Sequence, residues 1–284
     1  MKVGFIGLGK MGAGICSNIV KNGIDVVVYD INPANVQKFV DMGASPAASV
    51  KELAAQVEVS ITCVPMPKDA KGVLLGPDGV FENLPEGGVH FDLSTLDIET
   101  VVMLEAEAAK LGKKYLVIPM GKGPAFAADG TCPLFGGGDK ATYDKYEECL
   151  LKKMGKPAYI GDVKAGCALN LIQNLMGMSI NAVCSESIKL AKLTNIPKEQ
   201  FIEQISNSGA FSFQFKNTAS GTFDEDFEHP VFTVNLAFKD VRLGIEMCES
   251  LGQRVPMMSR AREVFAATAE KYGEENFTAT FKML

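Results

Sequence analysis

The chain has 284 residues, of which 47% are hydrophobic and 22% are charged, and its formal net charge is −6. An apolar content this close to the globular average excludes a disordered or fibrous chain and predicts a folded core. The mild acidity, with no basic stripe, argues against nucleic acid as a partner. No apolar run is long enough to predict a membrane span or a signal peptide, so we expect a cytoplasmic protein.

The cysteines give no sign of a disulfide framework or a zinc site. They are odd in number and scattered, and no two have the C-x-x-C spacing. This pattern is typical of buried thiols in a reducing compartment. Because His90 and His229 are the only histidines and no ligands cluster, no metal centre is predicted.

The first part of the chain alternates short apolar runs with helical patterns. Strands are predicted at Lys2–Ile6, Asp25–Tyr29, Val57–Val64, Gly88–Asp92 and Lys114–Ile118, with a last one at Tyr159–Ile160. Strands that alternate with helices form a parallel sheet covered on both faces. The sequence therefore predicts an α/β domain over residues 1–163.

No further strand is predicted after residue 163. Gly166–Leu193 is predicted as one long helix, apolar on nearly every face, which indicates burial between partners. Further helices are predicted at Lys198–Ser206, Asn235–Leu251 and Met257–Tyr272. We therefore expect an all-α domain over residues 164–284, joined to the first domain by the long helix.

Three glycines follow the first predicted strand. Gly7, Gly9 and Gly12 have the spacing G-x-G-x-x-G and open a helix. In dinucleotide sites the first glycine permits a tight turn, the second admits the pyrophosphate, and the third lets the helix pack on the strand. The helix N-terminus adds N–H donors and a partial positive charge. The α/β domain is thus predicted to be a Rossmann domain.

Asp30 ends the second predicted strand. A carboxylate there accepts hydrogen bonds from ribose hydroxyls and repels a 2′-phosphate, which favours NADH over NADPH. The alternative is that Asp30 is a helix cap or a solvated turn residue. We predict that the residues contacting NAD are Gly7, Leu8, Gly9, Lys10, Met11, Gly12, Asp30, Ile31, Asn32, Val64, Pro65, Thr95 and Lys239.

The segment Gly4–Gly12, with the sequence GFIGLGKMG, resembles the start of the β-hydroxyacid dehydrogenases. This family belongs to the 6-phosphogluconate dehydrogenase superfamily and includes 3-hydroxyisobutyrate dehydrogenase and sulfolactaldehyde reductase. The resemblance extends over essentially the whole chain. Asp92–Thr95 resembles the family's D-x-S-T segment, and Phe238–Asp240 resembles its K-D pair, whose lysine approaches the nicotinamide. The resemblance implies a helical domain that completes the cleft and forms a homodimer or homotetramer.

The resemblance also implies which residues contact substrate. Ser94 and Thr95 carry the hydroxyls that contact substrate or cofactor in relatives, although either could instead cap the next helix. Gly121, Lys122 and Gly123 lie where many members carry a substrate loop. Lys122 would pair with the anionic head group of a small acid, the alternative being a solvated surface lysine.

The long helix departs from the family pattern. In relatives it carries a lysine that acts as general acid and base, and an asparagine four residues later. The alignment puts Asn170 at the lysine position and Asn174 at the asparagine position, with both amides on one face of the helix, pointing at the same cleft. An amide cannot release a proton near neutral pH, and losing a general acid lowers the rate about 10²–10⁴-fold. Asn170 could also simply be a polar residue satisfied inside a packed helix.

Three interpretations remain open. In the preferred one, an NAD(H)-dependent oxidoreductase interconverts a small anionic hydroxy acid and its semialdehyde. The proton then comes from Lys122, from Lys239, or from a water held by Asn170 and Asn174. In the second, the substrate is an imine that enters already protonated, as in imine reductases, which also lack the lysine. In the third, the chain binds NAD without turnover.

Overall fold

The computed structural model describes all residues from 1 to 284 and contains one sheet of eight strands. The strands are β1 (Lys2–Ile6), β2 (Asp25–Tyr29), β3 (Ser45–Pro46), β4 (Val59–Thr62), β5 (Val89–Asp92), β6 (Lys114–Val117), β7 (Pro133–Gly137) and β8 (Lys156–Gly161). Their order across the sheet is β3-β2-β1-β4-β5-β6-β7-β8. The order reverses between β1 and β4, and doubly wound sheets bind ligands at the carboxyl ends of the strands at such a reversal.

The helices of the first part connect these strands. They are α1 (Lys10–Lys21), α2 (Pro33–Val40), α3 (Val50–Ala54), α4 (Pro67–Leu74), α5 (Val80–Asn83), α6 (Ile98–Lys110), α7 (Pro124–Ala128), α8 (Lys140–Tyr146) and α9 (Lys152–Met154), with a π-helical turn at Glu147–Leu151. The second part contains α10 (Val163–Leu193), α11 (Lys198–Ser206), α12 (Phe213–Phe223), α13 (Val234–Ser250) and α14 (Pro256–Tyr272), and ends in a 3₁₀ helix at Phe277–Met283.

The predicted Rossmann fold followed by a helical region is confirmed, with two differences in the sheet. Strand β7 was not predicted, because two of its five residues are the glycines Gly136 and Gly137, which are typical of loops. It also pairs antiparallel with β6, through Val117 and Gly137, in a sheet whose other strand pairs are parallel. The two-residue strand β3 is too short to leave a pattern in the sequence.

The chain divides into two compact units, Met1–Asn170 and Leu171–Leu284. The division falls inside α10, whereas the predicted boundary at Val163 is the first residue of that helix. The core of the first unit lies between the sheet and its helices, and Val3, Phe5 and Ile15 are among its fully buried side chains. The core of the second unit includes the buried aromatic rings of Phe215, Phe227 and Phe265. Helix α12, with its weak apolar periodicity, was not predicted.

Helix α10 has a buried face and an exposed apolar face. Leu171, Leu175 and Ile188 are buried. The exposed apolar side chains, between 48% and 68% accessible, are those of Ile172, Met176, Val183, Leu190 and Leu193. By length and composition alone this helix could cross a membrane, a test that core helices of soluble proteins also pass.

Candidate active site

The turn between β1 and α1 is built on two glycines for which no larger residue fits. Gly7 has a φ of 93°, in the left-handed region, and a Cβ atom on it would lie 2.3 Å from the carbonyl oxygen of Cys63. A Cβ atom on Gly12 would lie 2.1 Å from the carbonyl oxygen of Gly7. The left-handed turn beside Cys63 therefore requires glycine at position 7, and the close approach of α1 to that turn requires glycine at position 12.

Gly9 has a different environment, because a Cβ atom there would meet nothing within 4 Å. Gly9 is also the N-cap of α1, and no side chain caps the helix that begins at Lys10. An open glycine over a helix N-terminus that lacks a side-chain cap suits a pyrophosphate, because its oxygens can accept from the first-turn N–H groups. In the same segment, Leu8 is buried and Met11 half-buried.

The carboxylate of Asp30 lies beside this turn. Its Oδ2 accepts a hydrogen bond from the backbone N–H of Leu8 at 2.6 Å, and its Oδ1 accepts from the N–H of Asn32 at 2.7 Å. Asn32 is the N-cap of α2 and accepts from the N–H of Ala34, while Ile31 is 92% exposed between them. Asn32 caps α2, so Asp30 is not the cap of that helix. Its carboxylate is instead held at the glycine turn, where a nicotinamide dinucleotide places its ribose.

The loops that follow β4 and β5 are joined to each other. The hydroxyl of Ser94 accepts a hydrogen bond from the backbone N–H of Val64 at 3.0 Å. Val64 also flanks the glycine turn, because its Cγ1 would lie 3.4 Å from a Cβ atom on Gly7. Pro65 follows as an exposed residue. The two loops and the glycine turn therefore meet at the carboxyl edge of the sheet.

Thr95 lies next to Ser94 and contacts the start of α10. The side-chain amide of Asn170 donates a hydrogen bond to the Thr95 hydroxyl at 3.1 Å, and Asn170 is only 2% exposed. The N-cap of α6 is Asp97, whose Oδ1 accepts from the N–H of Thr100. Neither Ser94 nor Thr95 caps that helix, so the capping alternative for these two residues is wrong.

The segment of Gly121, Lys122 and Gly123 connects β6 to α7. A Cβ atom on Gly121 would lie 2.7 Å from Cγ of Pro133, so this glycine is packed against the next strand. Lys122 is exposed, has a φ of 63°, and holds its ammonium 4.4 Å from the centre of the Phe126 ring. A lysine in the left-handed region is strained, and such strain is concentrated at functional sites.

In the second unit, a buried carboxylate holds two of the predicted residues. Asp240 accepts a hydrogen bond from the amide of Asn174 at 2.9 Å, and the ammonium of Lys239 lies 2.9 Å from its other oxygen. The Asn174 side-chain oxygen accepts from the amide of Gln173. Burial raises the pKa of Asp240 above its ordinary value, and the neighbouring Lys239 ammonium offsets only part of that rise. Sequence reasoning did not select Asp240 as a site residue, although the K-D pair contained it.

Helix α10 therefore carries two amides with different partners. Asn170 and Asn174 are one turn apart, and we predicted that both point at the same cleft. In the structure Asn170 is hydrogen-bonded to Thr95, within the first unit, and Asn174 to Asp240, within the second. Each amide is oriented by its own unit.

Comparison with known proteins connects these features with a family. The domain family described as the NAD binding domain of 6-phosphogluconate dehydrogenase matches residues 2–168. The domain family described as NAD-binding of NADP-dependent 3-hydroxyisobutyrate dehydrogenase matches residues 165–284. The chain belongs to the β-hydroxyacid dehydrogenase family. Both descriptions name a nicotinamide dinucleotide, the cofactor that the glycine turn fits.

Several known proteins resemble the chain over its whole length. The cytokine-like nuclear factor N-PAC of Xenopus tropicalis is 31% identical over 288 residues, which cover 99% of this chain and 53% of N-PAC. The 3-sulfolactaldehyde reductase of Escherichia coli is 28% identical over 283 residues, covering 99% of this chain and 95% of the enzyme. The chain thus spans about half the length of the N-PAC proteins that it matches.

A crystal structure of a similar protein has the same fold as this chain. The 3-hydroxyisobutyrate dehydrogenase of Salmonella typhimurium superposes with a TM-score of 0.92 at 25% identity, and the match covers 100% of both chains. The recognition of the family from the GFIGLGKMG segment is therefore confirmed.

Proposed function

We propose that the chain is an NAD(H)-dependent oxidoreductase that interconverts a small anionic hydroxy acid and its semialdehyde. The observation that carries this proposal is the Asp30 carboxylate, bound to the Leu8 N–H at 2.6 Å beside the open Gly9. A carboxylate at that place accepts from the ribose hydroxyls and repels a 2′-phosphate, which supports NADH over NADPH. Bound NADH supplies the hydride.

Lys122 is the proposed anchor for the anionic head group. Its ammonium lies on a strained, exposed residue between two glycines, where a ligand can approach the backbone closely. The similarity to 3-sulfolactaldehyde reductase, whose named substrate carries a sulfo group, supports an anionic substrate. We propose that Lys122 pairs with a carboxylate or sulfonate of a small aldehyde acid.

Asn170 is proposed to stand where relatives carry the catalytic lysine. Its side-chain amide donates a hydrogen bond to Thr95 at 3.1 Å, and we propose that this amide lies beside the oxygen on which negative charge develops during reduction. The amide cannot give up a proton. We propose that a water molecule protonates the alkoxide, with the Lys122 or Lys239 ammonium as the alternative donor.

Oxidation of NADH by the purified protein, followed by absorbance, tests this function. One panel contains small semialdehydes with a carboxylate or sulfonate, and a second contains cyclic and acyclic imines. Turnover of an anionic semialdehyde supports the proposal, and turnover of imines alone would replace it with imine reduction. Both results require that binding of NADH be measured separately, by the change in its fluorescence.

A second candidate is an NAD-binding protein without turnover. The buried amide at position 170, which cannot act as a general acid, favours it. The similarity to N-PAC, which is named as a nuclear factor rather than an enzyme, points in the same direction. Tight binding of NADH with no turnover in either panel would establish this candidate.

We also propose that a second copy of the chain covers the exposed apolar face of α10 in a cytoplasmic homodimer or homotetramer. Ile172, Met176, Val183 and Leu190 contribute to that face, and contiguous apolar surface of this kind is typical of protein interfaces. The seven cysteines form no disulfide bond, which suits a reducing compartment. Light scattering of Val183→Lys should show a monomer if the face is the interface, whereas an unchanged mass would contradict it.

A further inference from the structure

A row of polar side chains is buried inside the first unit. Ser60 and Thr62 on β4 face His90 and Asp92 on β5, and Tyr115 on β6 lies beside them. The Ser60 hydroxyl and Nδ1 of His90 are hydrogen-bonded at 2.7 Å, and the Thr62 hydroxyl and Nε2 of His90 at 3.0 Å. All five side chains are 3% exposed or less. Because side chains at alternate strand positions share a face, they form one continuous row.

Asp92 ends this row at the carboxyl edge of the sheet. Its Oδ1 accepts from the backbone N–H of Ser94 at 2.9 Å, and its Oδ2 accepts from the Tyr115 hydroxyl at 3.2 Å. Burial raises the pKa of Asp92 above its ordinary value, and hydrogen bonds from Ser94, Thr62 and Tyr115 offset only part of that rise. Burying a carboxylate is unfavourable unless donors surround it, so the row of donors accounts for its presence in the core.

Ser94 connects this row to the glycine turn. The Ser94 hydroxyl accepts from the N–H of Val64 at 3.0 Å and is also hydrogen-bonded to Asp92. Val64 in turn flanks Gly7, and the Cys63 carbonyl lies 2.3 Å from where a Cβ atom on Gly7 would be. An unbroken path of hydrogen bonds and contacts therefore runs from the buried carboxylate to the glycine turn.

We propose that Asp92 and Ser94 are positioning residues that fasten the loop after β4 to the loop after β5. This fastening holds Val64 against the glycine turn and places Thr95, the next residue, to receive the amide of Asn170. The Ser94 hydroxyl is then occupied by Val64 and Asp92 and does not bind substrate. The inference rests on the proposed function insofar as the fastened loops serve a nicotinamide cofactor.

Ser94→Ala and Tyr115→Phe form a matched pair for the test. Both remove one hydroxyl that is hydrogen-bonded to the same buried carboxylate, but only Ser94→Ala disconnects Val64. We expect Ser94→Ala to accelerate hydrogen exchange of the Val64 amide about tenfold and to raise the Kd for NADH about three- to tenfold. Tyr115→Phe should lower the Tm about as much as Ser94→Ala does, because each variant removes one hydrogen bond to Asp92. It should leave the exchange rate of the Val64 amide and the Kd for NADH within about twofold of the wild type.

Two results for Ser94→Ala would overturn the inference. Unchanged Val64 exchange and unchanged NADH affinity in Ser94→Ala would overturn the inference. An unchanged Kd for NADH with a raised KM for the aldehyde would also overturn it, because Ser94 would then contact the substrate. If the wild type does not bind NADH, the proposed function fails, while the Val64 exchange comparison still tests the fastening. Should Ser94→Ala not fold, Ser94→Cys keeps the volume with a poor acceptor and takes its place in the same measurements.

Discussion

The amide of Asn170 donates to the hydroxyl of Thr95 over 3.1 Å, and thereby joins the start of α10 to the loop after β5. This contact orients the amide that we place where relatives carry a catalytic lysine. If the natural protein lacks only a general acid, Asn170→Lys should raise the rate of semialdehyde reduction about 10²-fold. Steady-state kinetics with NADH measure this rate. The control is Asn170→Met, which fills the space but has no acidic proton to donate. A folded lysine variant with no gain would show that the acid is supplied elsewhere.

Asp30 should set the preference for NADH. Asp30→Ser removes the acceptor of two backbone N–H groups and the negative charge near the ribose. We expect the Kd for NADH to rise about 10–100-fold and the discrimination against NADPH to fall. Fluorescence titration with both cofactors measures the two values. Asp41→Ser, which removes a carboxylate at the other end of α2, is the control and should change neither.

Lys122 should act on the substrate and not on the cofactor. Lys122→Gly removes the ammonium and also relieves the strain of a φ of 63°. The KM for an anionic aldehyde should rise at least about tenfold, because a charge-assisted pair is lost, while the KM for NADH stays unchanged and the Tm does not fall. If both KM values rise together, Lys122 is not the anion anchor.

The packing of α1 on α7 should tolerate no side chain at Gly14. A Cβ atom there would lie 2.7 Å from the backbone nitrogen of Ala128. Gly14→Ala should lower the free energy of unfolding by about 1–3 kcal/mol, measured by urea titration. Gly221→Ala, at an exposed position in α12 where a Cβ atom meets nothing within 4 Å, should instead be neutral or stabilise by up to about 1 kcal/mol. Equal effects would contradict this description of the packing.

The buried ring of His90 should make the protein less stable in acid. Burial lowers its pKa from 6.5 to about 3, so below pH 6.5 the unfolded chain takes up a proton that the folded chain does not. This contribution to stability is complete above pH 6.5 and is lost as the pH falls toward 3, by about 1.4 kcal/mol per pH unit. Urea titrations at pH 4.5–7 should give a shallower slope for His90→Asn than for the wild type.

Local patterns were enough to predict most of the first unit. The bounds predicted for β1 and β2 agree with the structure, and β4 was predicted longer at both ends than the Val59–Thr62 that pairs with its neighbours. The predicted ends were wrong because the apolar residues Val57, Cys63 and Val64 continue the pattern beyond the residues that pair with β1. Strand β7 could not be predicted, because its Pro-Leu-Phe-Gly-Gly sequence becomes a strand only when β6 and β8 pair with it.

The sequence by itself determined the fold class, the family and the cofactor turn, because the GFIGLGKMG segment and the strand before it act through local geometry. Turn conformation and strand alternation depend on neighbouring residues, which a sequence displays directly. Only the tertiary structure decided that Asn170 pairs with Thr95, Asn174 with Asp240, and Ser94 with Val64. These partners lie 75, 66 and 30 residues apart. Their contacts arise from the packing of elements brought together by burial of apolar surface, which no local pattern records.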